Sequence, residues 1–356
     1  MKRYLKYRAG SRVLDLIRGE GLDPQRIKVF AGPAGGPKWF VSVGFDKALI
    51  RCGFLQKKPN RVFLAGSSAG AWRNIAMSCK DPMSAYELLR LGYSRNVFSR
   101  KDTPATVTAA FKRTMEGFIA DSDIPSIMDH PFFDLGIHTV RAKGPAGSEN
   151  RSIEAASLLF SALLNVVSHR TMNILYERVF FHAGTLDPRL IVPRLQGKIA
   201  KITTRNIRDV ALATGSLPYI MSAVGKIADA PSGRFNDGGL LDYQLNQAYD
   251  PGPDGITLFF HYQKRIVPGW FDKRLKWRMP PAGALDRLLQ VYPSPEFMEL
   301  LPDRRLPDRN DFITFVDDPS ERIRRWDEVS EKSEIIGEQF MDDVESGRIK
   351  GLVEPL

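Results

Sequence analysis

Residues 61–76, RVFLAGSSAGAWRNIA, run from an apolar strand through a Gly-Ser-Ser-Ala-Gly turn into a helix. Val62, Phe63 and Leu64 supply the strand, and Ala69 to Met77 continues as a helix. Between them Gly66 and Gly70 flank Ser68 in G-x-S-x-G spacing. Small residues on both sides let the chain turn sharply enough to hold a serine hydroxyl at the end of a strand, the geometry of a nucleophile elbow. The helix that follows directs its free first-turn N–H groups towards that serine. Spacing alone is a weak signal, since this pattern arises by chance in roughly one chain in ten of this length. The strand before it and the helix after it give it weight. A glycine pair at a close strand–helix packing point is the structural alternative.

A second unit of the same kind lies upstream. Ile27 to Ala31 is a compact apolar strand, residues 32–39 read GPAGGPKW, and Phe40 to Leu49 has helical apolar spacing. The loop fails as a phosphate-binding P-loop, which would need glycine at Pro37 and Ser or Thr at Trp39. It fails as a dinucleotide fingerprint because its glycines are wrongly spaced and its prolines stiffen it. As an oxyanion hole it works, with a plain tight turn as the alternative: Gly35 and Gly36 let backbone N–H groups converge, Pro37 suits the first turn of a helix, and a helix N-terminus favours developing negative charge.

Downstream, helices are expected at Asp81 to Gly92, Ala105 to Ile119, Ile153 to Glu177 and Ile207 to Gly215, with strands at Val179 to Ala183 and Ile199 to Thr203. Phe235-Asn236-Asp237-Gly238-Gly239 puts a carboxylate before a glycine pair, which is also the composition of a common tight turn. Beyond it come a strand at Ile256 to Tyr262, a helix at Ala284 to Val291, a strand at Phe312 to Val316 and a long charged helix at Ser320 to Glu345.

Three features together resemble the patatin-like phospholipase family: a glycine-rich loop after the first core strand (Ala34 to Lys38), G-x-S-x-G after the next (Gly66 to Gly70), and Asp237-Gly238-Gly239 far downstream. The stretch ALATGSLPYIMSAV that leads to the aspartate is also similar. Ala34 stands for the family's first loop glycine and Trp39 for its last, while Gly35, Gly36 and Lys38 match. The resemblance covers residues 27–250 and implies a three-layer α/β/α fold with a mainly parallel central sheet. The implied division is a lead-in over 1–26, a catalytic domain over 27–250 with a helical insertion at about 95–178, and a C-terminal α/β extension over 251–356 packed on the same domain. It also implies a Ser–Asp dyad acting on lipid or other acyl esters, of phospholipase A or lysophospholipase type. Ser68 would be the nucleophile and Asp237 the base; Gly35, Gly36, Lys38 and Ala69 would offer oxyanion N–H groups. No cofactor is implied. Two alternatives stay open: a Ser68-Asp237-His261 triad, since His261 follows the aspartate at the end of a strong strand, and a non-catalytic lipid-binding protein on the same fold.

The chain has 356 residues, enough for a large α/β core, and only two cysteines, Cys52 and Cys79, without metal-ligand spacing. No metal site is expected, and reduced thiols point to the cytoplasm. The basic N-terminus lacks the apolar centre of a signal peptide. The longest apolar run, Ala155 to Val167, is too short to span a bilayer and reads as a buried or lid-like helix, a wall or lid for an acyl chain. The formal net charge of +10 gathers partly in residues 263–279, QKRIVPGWFDKRLKWRM, where basic residues alternate with aromatics. Tryptophan beside lysine suits a headgroup interface, so Trp270, Lys273, Arg274 and Trp277 are candidates for peripheral contact with an anionic membrane, with a plain solvated face as the alternative. No specific nucleic-acid partner is expected.

Overall fold

The strand at Ile27–Gly32 buries five of its six residues and that at Val62–Ser67 buries all six. An alternating strand would bury every second one, so both faces of this sheet must be covered. The computed structural model describes residues 2–56, 61–185, 187, 197–281 and 283–356. Among these residues the strands are β1 (Leu5–Ala9), β2 (Ile27–Gly32), β3 (Val62–Ser67), β4 (Phe133–Ala142), β5 (Tyr176–Ala183), β6 (Lys198–Lys201), β7 (Arg234–Asp237), β8 (Ile256–Phe260), β9 (Leu288–Pro293) and β10 (Val353–Pro355). They form one mostly parallel sheet in the order β10-β1-β9-β8-β2-β3-β4-β5-β6, with β7 paired to β4. The helices that matter below are α1 (Ser11–Glu20), α2 (Val43–Arg51), α3 (Ala69–Met77), α4 (Pro82–Ser94), α5 (Pro104–Phe118), α6 (Ile124–Met128), α7 (Arg151–Val167), α8 (Ile207–Gly215), α9 (Pro319–Lys332) and α10 (Glu334–Glu345).

The fold is a three-layer α/β/α sandwich. On one face, Phe30, Leu64 and Leu135 pack with Phe45, Trp72 and Leu89 from the helices in the main core. On the other, Val29, Phe63 and Phe180 meet Tyr249, while Ala31 and Phe259 meet Leu245 and Ile266. The helix that carries the serine is anchored from below. Arg73 of α3 makes a two-pronged ion pair with Asp46 of α2, Nε–Oδ2 2.6 Å and Nη2–Oδ1 2.8 Å, and the Tyr86 hydroxyl of α4 donates to the same carboxylate. All three side chains are buried.

Several expectations are corrected. The stretch 95–178 is not a helical insertion, because β4 runs through its centre and pairs with β3 and β5. Two of its polar residues find tertiary partners: His138 Nε2 lies 2.8 Å from the Tyr249 hydroxyl, and Thr139 Oγ1 donates to the Val179 carbonyl. The lead-in 1–26 contains β1; residues 251–356, expected to pack on the same domain, do so by supplying β8, β9 and β10 to its sheet. Residues 284–291 are a turn leading into β9 and not a helix, and 312–316 falls mainly in a helical turn, Asp311–Thr314, and not a strand. The long helix at 320–345 breaks at Ser333, whose hydroxyl accepts the Gly44 N–H and donates to the Ser330 carbonyl. The helix expected over 153–177 ends at Val167.

Candidate active site

Strand register brings the two motif residues together. β3 runs parallel along the first half of one edge of β4, with Ser67 opposite His138. β7 runs antiparallel along the second half, with Asp237 opposite Thr139. The two strands therefore point at each other, and the residue after β3 meets the last residue of β7. Ser68 Oγ donates to Asp237 Oδ2 at 3.0 Å, and the other carboxylate oxygen accepts the Gly239 N–H at 2.7 Å. Both side chains are buried.

Ser68 has φ 53° and ψ −131°, a left-handed conformation that costs a non-glycine residue about 1–3 kcal/mol. The surroundings hold it there. Its N–H donates to Thr214 Oγ1 of α8 at 2.9 Å, and that hydroxyl donates to the His138 carbonyl at 2.6 Å. A Cβ on Gly70 would lie 2.2 Å from the Gly32 carbonyl carbon, so glycine there lets the elbow helix press against the end of β2. A Cβ on Gly238 would lie 2.0 Å from the His138 carbonyl oxygen, which excludes any side chain beside the aspartate.

The glycine-rich loop lies beside this pair. Ala34 is fixed at both ends: its N–H donates to the Tyr243 carbonyl at 2.7 Å, and its carbonyl accepts the Tyr262 hydroxyl at 3.0 Å. A 3₁₀ helix follows over Gly36–Ser42, capped by Gly35. In such a turn the Lys38 N–H closes onto the Gly35 carbonyl, so Lys38 is not a free backbone donor. Its side chain pairs with Asp308. The N–H groups of Gly35 and Gly36, and that of Ala69 at the start of α3, have no acceptor within their own helices. Trp39 is turned away from the serine into the core, 4.7 Å from the Phe40 ring and edge-on to Tyr86 and Tyr93.

Gly36, Ser68 and Ala69 open onto a cavity of about 690 Å³ whose walls include Trp72, Phe98, Phe111, Leu217, Met221 and Phe312. Arg100, Asp102 and Arg309 also line it, and no motif signalled Arg309. The guanidinium Nη2 lies 3.4 Å, and the Tyr93 hydroxyl 3.7 Å, from where a Gly36 Cβ would sit. Among the described residues no carboxylate pairs with Arg309. Lys273, marked by the sequence for membrane contact, holds its ammonium over the rings of Tyr243 and Trp270, at 4.4 and 5.0 Å. Trp270 is half-buried against the core.

Burial pushes the Asp237 carboxyl up to about 6, against the downward pull of the Gly239 N–H, the Arg309 charge, the Ser68 hydroxyl and Lys273. His261 stands apart from this pair. It is fully buried, its Nδ1 accepts the Gln263 N–H at 2.9 Å, and burial pushes it down to about 3. His261→Gln should leave kcat/KM per folded molecule within about threefold of the native value, whereas a loss near 10⁴-fold is expected of a triad histidine.

The chain matches no protein-family model and no curated protein. Its function is therefore argued from the site.

Proposed function

We propose that the protein is a serine acyl hydrolase that cleaves carboxylic esters of lipids through the Ser68–Asp237 dyad, in the manner of patatin-like phospholipases. The observation that carries the reading is the direct 3.0 Å contact between an elbow serine and a buried carboxylate at the head of an apolar cavity. As Ser68 Oγ attacks the ester carbonyl, its proton passes to Asp237 Oδ2. The tetrahedral oxyanion receives the N–H groups of Gly35, Gly36 and Ala69, where loss of one donor costs about 10²–10³ in rate. Collapse of the intermediate expels the alcohol, which takes the proton from Asp237. Water then gives a proton to Asp237 as it attacks the acyl-enzyme, and a second collapse frees the acid and restores Ser68. Arg309 stands where it favours negative charge, on the oxyanion or on an anionic group of the substrate.

A fluorophosphonate probe should label the native protein, with Ser68 Oγ displacing fluoride, and should leave Ser68→Ala unlabelled. Absence of labelling in the folded native chain would favour a binding protein. The base must be ionised to act, so kcat/KM should rise with pH through about 6 and level off above it. A rate that falls over that interval would contradict a carboxylate base.

A further inference from the structure

α7 is packed with its polar side inward. Ser157, Ser161 and Asn165, spaced by four residues along one stripe, are buried. Each is satisfied there: Ser157 Oγ donates to the Ile153 carbonyl, Ser161 Oγ to the Ser157 carbonyl, and Asn165 Nδ2 to Asp272 Oδ1 at 2.7 Å. The opposite face carries the large apolar side chains. Leu159 is 66% exposed, Leu163 61% and Val167 79%. A helix resting on a soluble protein turns its apolar stripe to the core, and a contiguous exposed patch of this kind marks a surface that is covered in use. The reading of α7 as a buried helix is thereby corrected.

The patch continues beyond the helix. Arg278 donates to the carbonyls of Asn165 and Val166, which sets residues 274–279 against the C-terminal end of α7. There Trp277 is 68% exposed, Met279 is also exposed, and Arg274 and Lys276 flank them. Residues 155–171 and 273–281 contain no aspartate or glutamate, and Arg170, Arg274 and Lys276 are exposed within them, whereas Arg278 pairs with the buried Asp272 and the Lys273 ammonium lies over Tyr243 and Trp270. An exposed apolar face, an exposed tryptophan and a border that includes Arg170, Arg274 and Lys276 complement an anionic lipid surface. α7 has 17 residues, and among the described residues no helix is long and apolar enough to cross a membrane, so it would lie in the plane of the interface.

We propose that the outer face of α7, with Trp277 and Met279, inserts into the outer layer of an anionic phospholipid bilayer and docks the protein there. Docking would also orient the cavity. Arg151 of α7 stacks 4.6 Å over the Tyr219 ring, Glu154 accepts the Tyr219 N–H at 3.1 Å, and the next residue, Ile220, lines the cavity that holds Ser68. The cavity rim is thus tied to the N-terminal end of the inserted helix.

The test is co-sedimentation with vesicles of phosphatidylcholine, with and without phosphatidylserine, together with the emission of Trp277. The native chain should bind the anionic vesicles, shift its tryptophan emission to the blue, and lose binding as salt is raised. Leu163→Glu with Val167→Glu should lower partitioning by about tenfold or more, since charge on the inserting face opposes burial in lipid. Both positions face water, so the variant should keep its melting temperature and its turnover of a water-soluble ester. Ser68→Ala should dock like the native chain, which separates docking from hydrolysis. Three results would each overturn the proposal: undiminished binding by the double variant, binding to neutral vesicles as tight as to anionic ones, or a native dimer that the double variant converts to monomer, which would make a second copy the occupant.

Discussion

Asp237→Asn should lower kcat/KM for an acyl ester by about 10³-fold or more, and Ser68→Ala by at least as much. Asparagine keeps the shape of the side chain and an oxygen for the Gly239 N–H, but it cannot take the Ser68 proton as the oxygen attacks. The same substitution should raise stability. The folded-state pKa of Asp237 is about 6, against about 4 for an unfolded aspartate. A raised value means that the favourable contribution is fully present below pH ~4 and is lost as pH rises through about 6. Above that interval the buried charge costs on the order of 3 kcal/mol, and asparagine does not carry it. Urea unfolding should therefore find Asp237→Asn more stable than the native chain at pH 8 and nearly equal to it at pH 4. A variant that hydrolyses esters normally, or that is less stable at pH 8, would refute the base role or its desolvation.

The second large effect concerns the support under the elbow. Arg73→Met should destabilise the protein by about 3–5 kcal/mol, because it leaves the buried Asp46 carboxylate without its counter-ion. The double variant Arg73→Met with Asp46→Leu should recover much of that loss, since a buried pair replaced by apolar residues of similar size is often neutral. α3 begins at the nucleophile and Arg73 lies in its second turn, so the single variant should lose activity along with stability. A single variant that melts within a degree or two of the native protein would show that Asp46 finds water or another donor.

The three site motifs were legible because each depends on backbone geometry that few residues allow. Gly66, Ser68 and Gly70 sit where a strained turn needs them, and Gly238 sits where no Cβ fits. The α3 and α8 boundaries read from the sequence coincide with those in the structure for the same reason: local periodicity decided them. What stayed hidden depends on contacts remote in the chain. β1 alternates Leu5, Tyr7 and Ala9 with basic residues, but its partners are β9 and β10, nearly three hundred residues or more away. β4 lay inside the stretch that the family resemblance made a helical insertion, and two of its polar residues find their partners in Tyr249 and the Val179 carbonyl. Arg309 comes from a charged loop with no pattern of its own and reaches the site only through the fold. α7 misled for a different reason. An apolar helix in a sequence says that something covers it, and the usual guess is the protein itself.

The end-to-end meeting of β3 and β7 on one edge of β4 also bears on how such a site tolerates change over time. The long connections between the motifs can gain or lose residues without altering the distance between Ser68 and Asp237, because neither strand depends on them for register. Within β7 there is no such freedom. Dropping a single residue between Arg234 and Asp237 would turn the carboxylate to the opposite side of the sheet. Lineages carrying this site are therefore expected to drift widely in motif spacing while keeping those four residues free of insertions, which makes strand register a better mark of kinship here than sequence distance.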